Sequence, residues 1–142
     1  MSDLDDMLAL DLARLRAPDG GPLDPAAHRA ALEGSWERSV RVLIRREGAL
    51  RAYGSFWMAA PGEAFVGGLM LAEGAGGLAR ELGRRLLAAL QEAGAERVVS
   101  HVRKGNAESL RLHRRLGFIV ERESAVAVAF ALPMGALAAR LG

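Results

Sequence analysis

No cysteine occurs in the 142 residues of this chain, which excludes disulfides, thiolate metal sites and a cysteine nucleophile. Histidine is scarce: His28, His101 and His113 are scattered without metal-ligand spacing, so no metal cofactor is expected. No run approaches the roughly 18 consecutive apolar residues of a membrane span. The start, Met1-Ser2-Asp3-Leu4-Asp5-Asp6, is acidic where a secretory leader is basic. The expectation is a cytoplasmic protein with no membrane partner. Lysine is almost missing as well. Lys104 is the only one among 19 Lys and Arg, a bias that accompanies abundant Ala, Gly and Leu and reports GC-rich coding rather than mechanism. The formal charge is only +2, too small a surplus to argue for a nucleic-acid partner.

What the chain does have is apolar mass. With 51% hydrophobic residues it has enough material for one domain, residues 1–142, with a substantial core. Ser2 caps a first helix whose Leu4, Met7, Leu8, Leu12 and Leu15 form one stripe, and Pro18-Asp19-Gly20-Gly21-Pro22 breaks it. Asp24-Pro25 opens a second helix through about Trp36. From Val40 the period becomes strand-like. Strands are expected over 40–46, 49–59 and 64–71, joined by Glu47-Gly48 and Pro61-Gly62-Glu63 as an antiparallel meander. Leu78, Leu82, Leu86, Leu90 and Ala93 trace a helix that Gly94 stops. A strand at 98–102 follows, then a helix from Asn106, strands at 119–123 and 125–132, and a short helix over 134–141.

Two stretches carry chemistry. In Asn106-Ala-Glu-Ser-Leu-Arg-Leu-His-Arg-Arg-Leu-Gly-Phe118, Asn106 is a helix cap, Leu110, Leu112 and Leu116 are apolar anchors, and Gly117 suits the left-handed residue that ends a helix. In the other, strand 64–71 runs through Ala72-Glu73 into Gly74-Ala-Gly-Gly-Leu-Ala79 and a long helix. Bare backbone N–H groups at a helix N-terminus hold a diphosphate well when no side chain blocks approach. Gly74-x-Gly76-x-x-Ala79 also satisfies a dinucleotide fingerprint. The following strand, Val98-Val-Ser-His-Val102, supplies no acidic residue for a ribose, and the preceding strands read as antiparallel, so that fold fits poorly. Gly67-Gly68, inside a strand, suits a bulge, a close backbone approach or simple packing against the helix.

The strand, the Asn106 helix and its Leu-Gly-Phe ending resemble the C-terminal signature of the GCN5-related N-acetyltransferase (GNAT) superfamily. The order ααβββαβαββ is that family's order without its first strand, so the start codon is misassigned or the sheet lacks an edge. The resemblance implies an α/β (α+β) fold with a mixed, mostly antiparallel sheet flanked by helices. It also implies acetyl transfer from acetyl-CoA to an unidentified amine, on a small molecule or a peptide, by direct attack. The family's diphosphate motif is Arg or Gln, two residues, Gly, one residue, then Gly or Ala. Gly77, Leu78 and Ala79 match its end, Gly74 stands at the Arg or Gln position, and Arg80 is the substitute cation. The implied cofactor-binding set is Leu69, Leu71, Gly74, Gly76, Gly77, Leu78, Ala79, Arg80 and Asn106, with the pantetheine arm lying between two strands that splay apart. His113 stands where the family commonly places a tyrosine that protonates the leaving thiolate. Glu73 and Glu63 are candidate bases, with Glu73 taken with His113 as the catalytic pair. His101 can face either the cleft or a helix, and Arg14, Arg16 and Arg29 can favour an acidic acceptor. The rival is a non-catalytic GNAT-like module that binds an acyl-CoA or a protein partner, and an open sheet edge can be covered in a homodimer.

Overall fold

The computed structural model describes residues 2–17 and 19–141. Its elements are α1 (Asp3–Arg14), α2 (Pro25–Trp36), β1 (Val40–Arg46), β2 (Ala49–Ala60), β3 (Glu63–Leu71), a 3-10 turn (Gly76–Leu78), α3 (Ala79–Glu92), β4 (Arg97–Arg103), α4 (Ala107–Arg115), β5 (Ile119–Glu123), β6 (Ala127–Pro133) and α5 (Met134–Leu141). The expected order holds throughout. Pro18, in the break after α1, lies outside the described residues.

One six-stranded sheet runs β1-β2-β3-β4-β6-β5. Every neighbouring pair is antiparallel except β3 with β4. A dinucleotide-binding doubly wound sheet is parallel, and this one is not. Strand β1 forms one edge of the sheet.

Helices cover both faces. On one, Leu82, Leu86 and Leu90 of α3, Leu112 of α4 and Leu137 and Leu141 of α5 pack on Ile44, Phe56, Val98, Val102, Phe130 and Leu132. On the other, Met7 and Leu10 of α1 meet Tyr53 and Met70, with Leu32 and Trp36 of α2 at the rim. The buried stripe of α1 is not the leucine stripe. Met7, Leu10 and Asp11 are buried while Leu4, Leu8 and Leu12 are only half-buried. An aspartate can turn inward because both its oxygens are satisfied. Tyr53 Oη donates to one at 2.6 Å and His28 Nε2 lies 2.8 Å from the other.

Caps and stops follow the sequence. Ser2 makes a capping box with Asp5, and Asp24 accepts from the backbone of Ala26 with Pro25 behind it. Gly94 and Gly117 end their helices at φ 80° and 91°. Strand β6 starts at Ala127, two residues later than expected, because the Ser124 hydroxyl accepts from the N–H groups of Val126 and Ala127 and folds 124–126 into a turn.

Candidate functional site

The centre of interest is where β3 leaves β4. Their ladder runs from Glu63↔Arg97 to Val66↔Ser100 and stops, although both strands continue. The cause is local. On the other edge of β3, Ser55 pairs with Gly68 while the next residue, Phe56, pairs with Val66, so Gly67 is one extra residue, a bulge. Bulging reverses the alternation: Ala64 and Val66 join the α3 face before it, and Leu69 does so after it. Close packing demands glycine here. A Cβ on Gly67 would stand 2.4 Å from the Trp57 ring, and one on Gly68 would stand 2.7 Å from the Tyr53 ring. Bulge and close approach both describe the glycine pair, whereas packing against the helix does not, since the nearest atoms belong to side chains of β2.

Beyond the bulge a cleft opens between the free edge of β3 and α4. Its inner part is lined by Leu69, Met70, Leu71, Asn106, Ser109 and Leu112, with Arg14 and Glu108. Its outer part continues past Ala72, Gly74 and Gly76 to Arg111 and Arg115. Asn106 thus belongs to the cleft and caps α4 at once, its side chain accepting from the N–H of Ser109 at 3.1 Å.

The glycine loop has two kinds of glycine. Gly74 takes φ 77°, a left-handed turn that glycine adopts without strain. Arg51 fixes the loop by donating to the carbonyl of Glu73 at 3.0 Å. Gly76 and Gly77 are different: neither has positive φ, and a Cβ on either meets nothing within 4 Å. The fold does not require them. What they leave is bare backbone at the start of the 3-10 turn and α3, and no side chain caps either. Such a terminus presents unpaired N–H groups and the positive end of the helix dipole. Leu78 and Ala79 continue into the helix, Leu78 half-buried and Ala79 buried. Arg80 is exposed and lines neither cleft; the arginines that do are Arg14, Arg111 and Arg115. Arg111 and Arg115 share a helix face by their i, i+4 spacing. That spacing was visible in the sequence, but nothing there said that α4 turns this face toward the glycine loop.

The two catalytic candidates are not brought together. His113 is 1% exposed, stacked on Phe130 at 5.0 Å with Phe118 edge-on at 4.9 Å. Its Nδ1–H donates to the Ser109 carbonyl at 2.7 Å, which leaves Nε2 to accept from the Ser100 hydroxyl at 2.8 Å. Burial lowers its pKa from 6.5 to about 4, against a smaller upward pull from the Ser109 carbonyl. The ring is neutral and enclosed, and it lines neither cleft. Glu73 is exposed at the far end of β3 and also lines neither cleft. Glu63 is the first residue of β3, at the closed end of the ladder. His101 is exposed, its ring edge-on to Phe65. Arg29 is paired with Asp5 and Glu33, and Arg14 with Glu108. Among the described residues no cluster of three His, Cys, Asp or Glu could hold a metal ion, and no helix is long and apolar enough to cross a membrane.

A sheet forked between two strands, with bare amides at a helix head beside the fork, defines the GNAT fold. The chain matches the acetyltransferase (GNAT) domain over residues 1–119 and belongs to that family. Solved structures share the architecture at low identity. Mutant forms of the spermidine/spermine N-acetyltransferase SpeG from Vibrio cholerae align at TM-score 0.69 and 16% identity, over 99% of this chain and 93% of that one. The ribosomal-protein-S18-alanine N-acetyltransferase from Escherichia coli aligns at 0.64 and 22%, over 94% and 90%. The N-acetyltransferase PseH from Campylobacter jejuni, in complex with acetyl coenzyme A, aligns at 0.58 and 14%, over 77% of each chain. No curated protein matches by sequence.

Proposed function

We propose that this protein is an acetyl-CoA-dependent N-acetyltransferase acting on an amine, by direct attack of the amine nitrogen on the thioester. The single observation that carries the cofactor half is the pair Gly76 and Gly77, small where the fold would accept a side chain, at the uncapped head of α3. Their backbone N–H groups would hold the diphosphate, with Arg111 and Arg115 adding charge. The free edge of Leu69–Leu71 and Asn106 would take the pantetheine arm. Acetyl-CoA supplies an activated acetyl group. The chain would supply the orientation of that group, with α1, whose Arg14 lines the cleft, bordering the side from which an amine would approach.

His113 enters this reading as a positioning residue, not as the acid that meets the thiolate: it holds the Ser100 hydroxyl at the last rung of the β3–β4 ladder. Among the described residues that line the cleft, Glu108 is the one carboxylate, and it is paired with Arg14. Similarity to acetyltransferases of spermidine and of a ribosomal protein supports an amine acceptor without choosing between a small molecule and a peptide.

Acetyl-CoA added at about a hundred times its dissociation constant should stabilise the native state by about 2.7 kcal/mol, read as a rise in Tm. Gly77→Glu should remove that rise while leaving the Tm of the free protein nearly unchanged, since a Cβ there meets nothing within 4 Å. A variant that folds and still binds acetyl-CoA would put the diphosphate elsewhere. Thiol release with a panel of amines and peptides then separates an enzyme from a module that only binds.

A further inference from the structure

One ion pair crosses the candidate cleft. Arg14, the last residue of α1, pairs with Glu108 in the first turn of α4, and both residues line its inner and outer parts. The Arg14 side chain is 18% exposed, and its Nε is buried with no partner. Glu108 is 53% exposed, and its second oxygen lies 3.8 Å from Arg111. One carboxylate therefore stands between two arginines beside a glycine loop.

We propose that Glu108 is a built-in counter-ion that holds Arg14 and Arg111 while the cleft is empty, and that Arg14 is released to bind a phosphate of the incoming acyl-CoA. This rests on the cofactor reading above. A guanidinium offers five donors in a planar fork suited to two oxygens of one phosphate. Against Glu108, Arg14 uses a single terminal nitrogen, and its Nε–H goes unused. A phosphate can take both, and it carries more charge than a carboxylate. Glu108 itself is a negative charge in a cleft proposed for a polyanion. Left unpaired it would repel the ligand, and paired it competes for the ligand's cations. In either state it weakens binding. It also makes binding a choice between two anions, so α1 is tied to α4 when the cleft is empty and to the cofactor when it is filled.

The test is calorimetric titration at low ionic strength of the full chain, Glu108→Gln and Arg14→Met. The probes are acetyl-CoA, inorganic pyrophosphate and S-acetylpantetheine, which has no phosphate. Glu108→Gln should tighten acetyl-CoA and pyrophosphate about three- to tenfold and leave S-acetylpantetheine unchanged. Arg14→Met should weaken acetyl-CoA by about the same factor. The gain in Glu108→Gln should shrink as salt is raised. Should Arg14→Met loosen α1, the half-exposed Glu108→Gln still decides the matter. If the parent chain binds acetyl-CoA and Glu108→Gln binds it equally or less well, the counter-ion role is wrong and the cofactor reading stands. If neither binds acetyl-CoA, both are wrong. If only Glu108→Gln binds, the counter-ion role is supported in its strongest form.

Discussion

The two faces of the sheet are held by different forces. Behind it, α3, α4 and α5 bury an almost continuous hydrocarbon core around Phe56, Leu82, Leu90 and Phe130, with the ionisable side chain of His113 inside, kept neutral. In front, α1 and α2 bury far less: α2 has no buried residue at all. There the attachment is polar. Asp11 ties α1 to Tyr53 of β2 and to His28 of α2, Arg45 of β1 bonds Asp3 and Asp6, and Arg29 bonds Asp5. Hydrophobic packing has no preferred direction and is lost gradually, whereas charge-assisted hydrogen bonds hold one geometry and release it when one partner changes. The rear layer is therefore the rigid support of the fork and the glycine loop. The front layer, where an acceptor would approach, is the part that can be altered without unfolding the sheet.

Four changes would break or sharpen that contrast. Phe130→Ala should cost about 3–5 kcal/mol, since the side chain is 1% exposed and stacks on His113. It should lower the denaturant midpoint of the whole chain and not of one face.

Acid should act next, and through the rear layer. The pKa of His113 falls from 6.5 to about 4 on folding, so between those values the unfolded chain binds a proton that the native one does not. Its contribution is intact above 6.5 and is lost as pH falls toward 4, about 3 kcal/mol in all. Asp11 has the opposite sign. Burial raises its pKa above 3.8 in the fold, against the hydrogen bonds from Tyr53 and His28, so it favours the native state at low pH and ceases to as pH rises through its folded value. Urea titrations at several pH values should therefore show stability falling below pH 6.5, and His113→Gln should flatten that slope. An unchanged slope would mean that His113 is not sealed.

Asp11→Ala should cost about 1–3 kcal/mol by leaving the Tyr53 hydroxyl unsatisfied. The contrast between the faces predicts where the loss falls. Amide hydrogen exchange should quicken in α1 and α2 while α3 and β4 keep their protection; uniform loss would mean that the two layers unfold as one. Least of all, Arg45→Gln should leave the denaturant midpoint nearly unchanged, because the Arg45 guanidinium that pairs with Asp3 and Asp6 is exposed to solvent.

Much of this was legible along the chain. Element order, caps, helix-ending glycines and the bulging Gly67-Gly68 pair followed from periods and residue types that act over a few positions. The inward face of α1 did not, because Asp11 is buried only where Tyr53, forty-two positions away, and His28 meet it. The enclosure of His113 did not either. His113 sits at a suggestive position in its motif, yet Ser100 of β4 and Phe130 of β6 close over it together with Phe118, just past its own helix.

Local chemistry thus settled which segments become helices and strands and where bare backbone falls, since capping, glycine φ and alternation are properties of neighbours in sequence. Only the folded chain decided that β3 and β4 part after Val66 and Ser100, and that α4 brings Arg111 and Arg115 to the glycine loop. It also decided that Arg14 meets Glu108 across the gap. Those are contacts between residues far apart in the chain, and their geometry depends on how two helical layers settle on one twisted sheet.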